Sequence, residues 1–188
     1  FSNTIIFSIG TFSSKILVFL LVPFYTHHLS EAEYGTVDLI TQTANLLIPL
    51  VSLGIASAVL RFGLDNAYNK KAVFTAGVSA ILFGFVVFLF FFFFLLKVKI
   101  INAYTLLLYI YVFVGCFRLL CTNFVRALYP RLYAFDGVLC TVLVIFFNIL
   151  YLMAFKLGVV GYVLATICSD LCSVLFLIAI AGLTRFVD

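Results

Sequence analysis

The stretch Lys71–Leu96, KAVFTAGVSAILFGFVVFLFFFFFLL, sets the class of this protein. Past its first residue it carries no charge, and it is longer than the roughly 20 mostly apolar residues that a helix needs to cross a bilayer. Ala76, Ala80 and Gly84 recur at a spacing of four in its first half, which predicts a face where a neighbouring helix packs closely. Its second half, FVVFLFFFFFLL, has no polar side chain and is expected to face lipid. The phenylalanine run matches an apolar solvent and is given no site role.

Comparable segments continue in both directions. Of the 188 residues 66% are hydrophobic and 10% charged, and the mean hydropathy of +1.31 lies outside the usage of soluble domains. The alternation of polar and apolar residues that marks a transmembrane β-barrel is absent. An all-α polytopic membrane protein follows, with six transmembrane helices expected at roughly 4–26, 35–60, 71–96, 103–125, 134–156 and 159–182. The connections are short, so sequential helices are antiparallel neighbours and residues 1–188 read as a single membrane domain. Outside these spans Arg61, Lys70, Lys71, Arg126, Arg131 and Arg185 fall on one side, against Lys97, Lys99 and Lys156 on the other. The richer side is predicted cytoplasmic, together with the N-terminus. The first segment lacks a small-residue cleavage motif and is not read as a signal peptide. The chain opens at Phe1 without Met, and it is expected to be a piece of a longer protein.

Several function classes drop out. The net charge of +4 comes with no basic run interleaved with aromatics, so no nucleic-acid partner is expected. Cys116, Cys121, Cys140, Cys168 and Cys172 all sit in apolar stretches and read as small packing residues, not a disulfide or zinc framework. His27 and His28 are adjacent in a polar loop, and no metalloprotease, nucleophile-elbow or phosphate-loop motif occurs. The chain is expected not to be an enzyme and to need no bound cofactor, with H+ or Na+ open as a coupling ion.

The informative residues are the polar ones inside the apolar segments. Lys15 stands in SKILVFLLVPFYTHHLSEAEYG (14–35), on a stripe with Thr4, Ser8 and Thr11, and roughly 16 Å of helix rise separates it from either end. An ammonium at that depth costs at least about 2.5 kcal/mol, so a polar partner is expected. Pro23 then favours a kink. In the second segment Asp38, Gln42, Asn45, Pro49 and Ser52 share one face at spacings of four, three, four and three, and this stripe must face protein or water. It reads as a cavity wall, or as a set of interhelical hydrogen bonds. Arg118 lies on a face with Tyr111, Gly115 and Thr122; it is paired, hydrated, or snorkels to the headgroups. Asp136 is read as an interfacial residue at a helix start, and Asn148 as the one amide at depth in its segment. Asp170, in register with Tyr162, Thr166 and Ser173, lies near mid-depth, and its expected partner is Lys15.

The stretches NTIIFSIGTFSSKILVFLLVPFYTHHLSEAEYGTVDLITQTANLLIPLVSLGIASAVLRF and YAFDGVLCTVLVIFFNILYLMAFKLGVVGYVLATICSDLCSVLF carry a resemblance. The Ser-Lys pair, the Pro ending an apolar run, the Leu-Ser turn, Tyr-Gly, and a helix closing in Gly, Ala and Arg-Phe resemble the opening of the polysaccharide-unit (O-antigen, Wzx-type) flippases. These form a branch of the multidrug, oligosaccharidyl-lipid and polysaccharide exporter superfamily. The resemblance implies one six-helix lobe of a two-lobed MATE-like fold, with the C-terminal lobe outside this chain. It implies a transporter that flips polyprenyl-diphosphate-linked oligosaccharide units across the bacterial cytoplasmic membrane by alternating access. Lys15 matches the family's basic position, and Arg118 is carried over on its chemistry; both would face the diphosphate. Asp38, Gln42, Asn45 and Asp170 belong to the cavity by their stripes. Implied partners are the lipid-linked oligosaccharide, membrane lipids, the second lobe, and a glycan polymerase and glycosyltransferases. A cation-coupled drug antiporter of the same superfamily and a non-transporting scaffold subunit are the alternatives.

Overall fold

The structure, a computed structural model, describes residues 22–23, 25–65, 67–97 and 103–186. The first expected helix, with Lys15, its polar stripe and the kink at Pro23, therefore lies almost wholly outside the described residues. Those described form helices and connections, with no strand among them. Their order is α1 (Glu31–Val51), α2 (Ile55–Leu64), α3 (Lys70–Lys97), α4 (Ala103–Leu128), α5 (Pro130–Asn148), a π-helical segment (Ile149–Ala154), α6 (Gly158–Ala181) and a closing 3-10 turn (Leu183–Phe186).

Four spans are long and apolar enough to cross a membrane: Lys70–Phe90, Tyr104–Leu128, Pro130–Ala154 and Gly158–Ala181. The pair α1 and α2 makes a fifth if it is one broken span. This is consistent with a multi-pass membrane protein, and the later expected helices agree with it to within a few residues.

The second expected helix needs correction at both ends. It begins at Glu31, not near residue 35, because Ser30 and Glu33 form a capping box: the Ser30 hydroxyl accepts from the Glu33 N–H, and Glu33 Oε2 accepts from the Ser30 N–H at 2.9 Å. It is also not continuous. Pro49 cannot donate to the carbonyl a turn earlier. Four residues on, Leu53 (φ 51°) and Gly54 (φ 65°) turn left-handed, and α2 leaves at 59° to α1.

Chain α4 is central, packing against α1, α2 and α3 on one side and α5 and α6 on the other. Over their most apolar windows α4 and α6 are each 44% buried, against 22% for α3 and 17% for the span containing α5. Thus α4 and α6 form the inside, while α3 and α5 present apolar surface outward. In the half expected to face lipid, Val86 and Phe90 are among the most exposed residues, whereas Phe85 and Phe88 are half-buried against the core.

The packing face of α3 is shifted from the expected one. Ala76 is exposed, and the buried line runs through Phe74, Gly77, Ile81 and Gly84. Both glycines matter: a Cβ on Gly77 would meet the Leu120 side chain at 2.6 Å, and one on Gly84 would sit 1.9 Å from the Val51 carbonyl oxygen. The frayed end of α1 therefore rests directly on the backbone of α3.

Candidate functional site

Three helices, α4, α5 and α6, bring a set of polar side chains to one buried place. Arg118 comes from α4, on the face that also buries Tyr111 and Gly115. Gly115 keeps that face close to α1, since a Cβ there would meet Ile48 Cδ1 at 2.6 Å. Asp136 and Cys140 sit one turn apart on α5, and Asp170 and Ser173 on α6.

The Arg118 guanidinium donates to Asp170 Oδ1 and, at 2.8 Å, to the Cys140 sulfur; its other terminal nitrogen lies 3.9 Å from Asp136 Oδ2. Asp136 Oδ1 accepts from the Ser173 hydroxyl at 2.6 Å. Asp136 is 1% exposed and Ser173 fully buried, so neither carboxylate depends on water for its first partner. Among the described residues no three His, Cys, Asp or Glu side chains are placed to hold a metal ion. Where Asp136, Cys140 and Asp170 converge, the cation is the guanidinium of Arg118.

This arrangement bears on three expectations. The ion pair of Asp170 is with Arg118; Lys15, its expected partner, lies outside the described residues. Of the readings open for Arg118, the pairing is the one found: two carboxylates and a thiol hold its head within the helix bundle. Asp136 is a core residue, not an interfacial one: α5 starts at Pro130, so Asp136 lies nearly two turns in. Cys140, likewise, is more than a packing residue. The spacing of four between Asp136 and Cys140, matched by three between Asp170 and Ser173, is the sequence signal that would have indicated it.

The other candidate residues lie elsewhere. Asp38, Gln42 and Asn45 are all on the exposed face of α1, with Gln42 donating to Asp38 at 3.4 Å, while Ser52 at the end of the same stripe is buried. Leu39, Leu46 and Leu50 flank them at about 70% exposure, so the polar ladder runs along an otherwise apolar open surface. Arg118 and Asp170 are brought together, and Asp38, Gln42 and Asn45 form a second, open group.

A further buried amide lies beyond Cys140. Asn148 is fully buried at the end of α5, where its Nδ2 donates to the Val144 carbonyl and its Oδ1 has no partner among the described residues. The backbone then widens into the π-helical segment, a form that often accompanies function in membrane and soluble helices alike.

Fold and site together define an all-helical protein with four or five helices apolar enough to cross a membrane and a charged cluster at their centre. No protein-family model matches the chain, and no curated protein or solved structure compared with it is significantly similar.

Proposed function

We propose that this chain is one lobe of a bacterial inner-membrane transporter that flips polyprenyl-diphosphate-linked oligosaccharide units by alternating access. The observation that carries the reading is the ladder Asp38, Gln42 and Asn45, exposed on a helix among others apolar enough to span a membrane. Polar groups in hydrocarbon go unsatisfied, so such a face belongs against a hydrated pathway or a second lobe. Carboxylate and amide groups suit the hydroxyls of a glycan. The break between α1 and α2 supplies the discontinuous helix on which transporters often build a substrate site and a moving joint.

In this scheme the glycan headgroup passes along the α1 face while its prenyl tail stays in lipid. Lys15 greets the diphosphate. Arg118 is held by Asp170 and Asp136, so its role is to lock α4, α5 and α6 into one body that moves as a unit. A second reading, cation-coupled antiport, draws on that same cluster, because two carboxylates sharing one guanidinium can exchange a proton or cation for it.

The test is complementation with the full-length gene in cells whose surface glycan depends on it. Replacing Asp38, Gln42 and Asn45 together by Leu should leave membrane insertion intact and abolish surface glycan. Normal glycan display by that variant would overturn the reading. A non-transporting scaffold would also tolerate it. Running the assay with Asp170→Asn across pH separates the two transport readings: only coupled antiport makes export depend on that carboxylate's proton.

A further inference from the structure

One end of the bundle collects positive charge. Arg61 lies in the last turn of α2, Lys70 and Lys71 open α3, Arg126 lies in the last turn of α4, Arg131 opens α5, and Arg185 lies in the closing 3-10 turn. The Thr75 hydroxyl, which donates to the Phe186 carbonyl at 3.2 Å, ties that turn to the start of α3. At the same end a groove of about 630 Å3 opens between the α4–α5 turn and the end of α6. Its walls are Leu128, Leu132, Ile180 and Ala181, and its rim carries Tyr129 and Arg131. Arg185 is not part of the lining but follows it closely in the chain, four residues past Ala181, with its Cδ and Nε 3.7 Å from where a Cβ on Gly182 would lie.

We infer that this groove binds an anionic glycerophospholipid, with its phosphate against Arg131 and Arg185 and the start of an acyl chain along Leu132, Ile180 and Ala181. Both halves of the ligand are specified. The walls are apolar and lie at the ends of three helices apolar enough to cross a membrane, so a fully water-soluble anion leaves them uncovered. The rim is cationic, and both arginines are exposed, so a neutral lipid leaves the guanidiniums without a counter-charge. Basic recesses between helix ends are a recurrent form of headgroup site. Tyr129, 46% exposed at the rim, is the aromatic residue that such an interface favours. The volume lies in the range of small-ligand sites. This inference is independent of what the protein transports.

The test is native mass spectrometry of the full chain released from nanodiscs containing either phosphatidylglycerol or phosphatidylcholine. The expected result is one phosphatidylglycerol retained and no phosphatidylcholine. The double variant Arg131→Gln/Arg185→Gln should weaken that retention roughly thirtyfold, from the typical contribution of a basic residue near an anionic surface. Lys70→Gln/Lys71→Gln removes the same charge from the same end but not from the groove, and should leave retention unchanged. Ala181→Phe fills the groove without changing charge, and should abolish retention. Equal retention of both lipids, equal loss in the two charge variants, or retention unaffected by Arg131→Gln/Arg185→Gln would overturn the site. Displacement of the lipid by millimolar inorganic phosphate would overturn it in favour of a free-phosphate site.

Discussion

Replacing Arg118 by Met removes the one cation among the described residues that pairs with Asp136 and Asp170. The side chain is 23% exposed and the two carboxylates are 1% and 10% exposed, so solvent does little to screen what is left. Even the longer contact matters: opposite charges 3.9 Å apart at an effective dielectric of about 20 attract by about 4 kcal/mol. Removing one partner of such a buried set typically costs about 3–5 kcal/mol, because the remaining charge is left uncompensated. That is the expected loss for Arg118→Met, measured by reversible unfolding of the full chain in mixed micelles. The double variant Arg118→Met/Asp170→Leu should be more stable than Arg118→Met alone, since it deletes the orphaned carboxylate nearest the gap while Ser173 still holds Asp136. If Arg118→Met lost less than about 1 kcal/mol, or if the second substitution made matters worse, the cluster would not be the lock between α4, α5 and α6 inferred above.

Two further outcomes follow from backbone geometry. Gly84→Ala puts a methyl group 1.9 Å from the Val51 carbonyl oxygen, and since that neighbour is backbone, α1 and α3 must separate; a loss of about 1–3 kcal/mol is expected from thermal unfolding of the purified chain. Leu53→Gly acts in the opposite direction: Leu53 holds φ at 51°, a conformation that costs a side-chain-bearing residue about 1–2 kcal/mol, and glycine should return most of that as a higher midpoint in the same measurement.

The break at residues 52–54 shows how the sequence signal and the tertiary outcome part. Pro49 was visible as a member of a polar stripe, but a proline in a long apolar segment is compatible with a gentle kink as well as with a break. What turns it into a 59° corner is the contact of Val51 with Gly84, about 30 positions along the chain, together with the left-handed turn at Leu53 and Gly54. In α3, likewise, small residues at a spacing of four marked a close-packing face. The set expected was Ala76, Ala80 and Gly84, and the approach of Val59 and Leu120 to Gly77 moves the packed face off Ala76 while keeping Gly84.

The charged cluster divides in the same way. Arg118 and Asp170 stood out because an ionised group in a segment this apolar must be paired. The sequence could not say with whom, since the pairing depends on which helices adjoin. The expectation matched Lys15 to Asp170 by depth alone; Lys15 lies outside the described residues, and among those described the partner of Asp170 is Arg118. Asp136 was misread because its distance from the helix start depends on where α5 begins, and Pro130 at the first helical position sets that start four residues before the expected one.

By itself, then, the sequence determined that the chain is helical and built for an apolar medium, and which helices carry polar residues at depth. These are properties of local composition and of the 3.6-residue period, and they need no partner. Tertiary structure alone decided that α4 and α6 form the centre, that Arg118, Asp136, Cys140, Asp170 and Ser173 meet, and that Asp38, Gln42 and Asn45 stay on an open face. Hydrophobicity drives segments into a membrane almost regardless of order, whereas the pairing of buried charges is fixed by close backbone approach at a few small residues far apart in sequence.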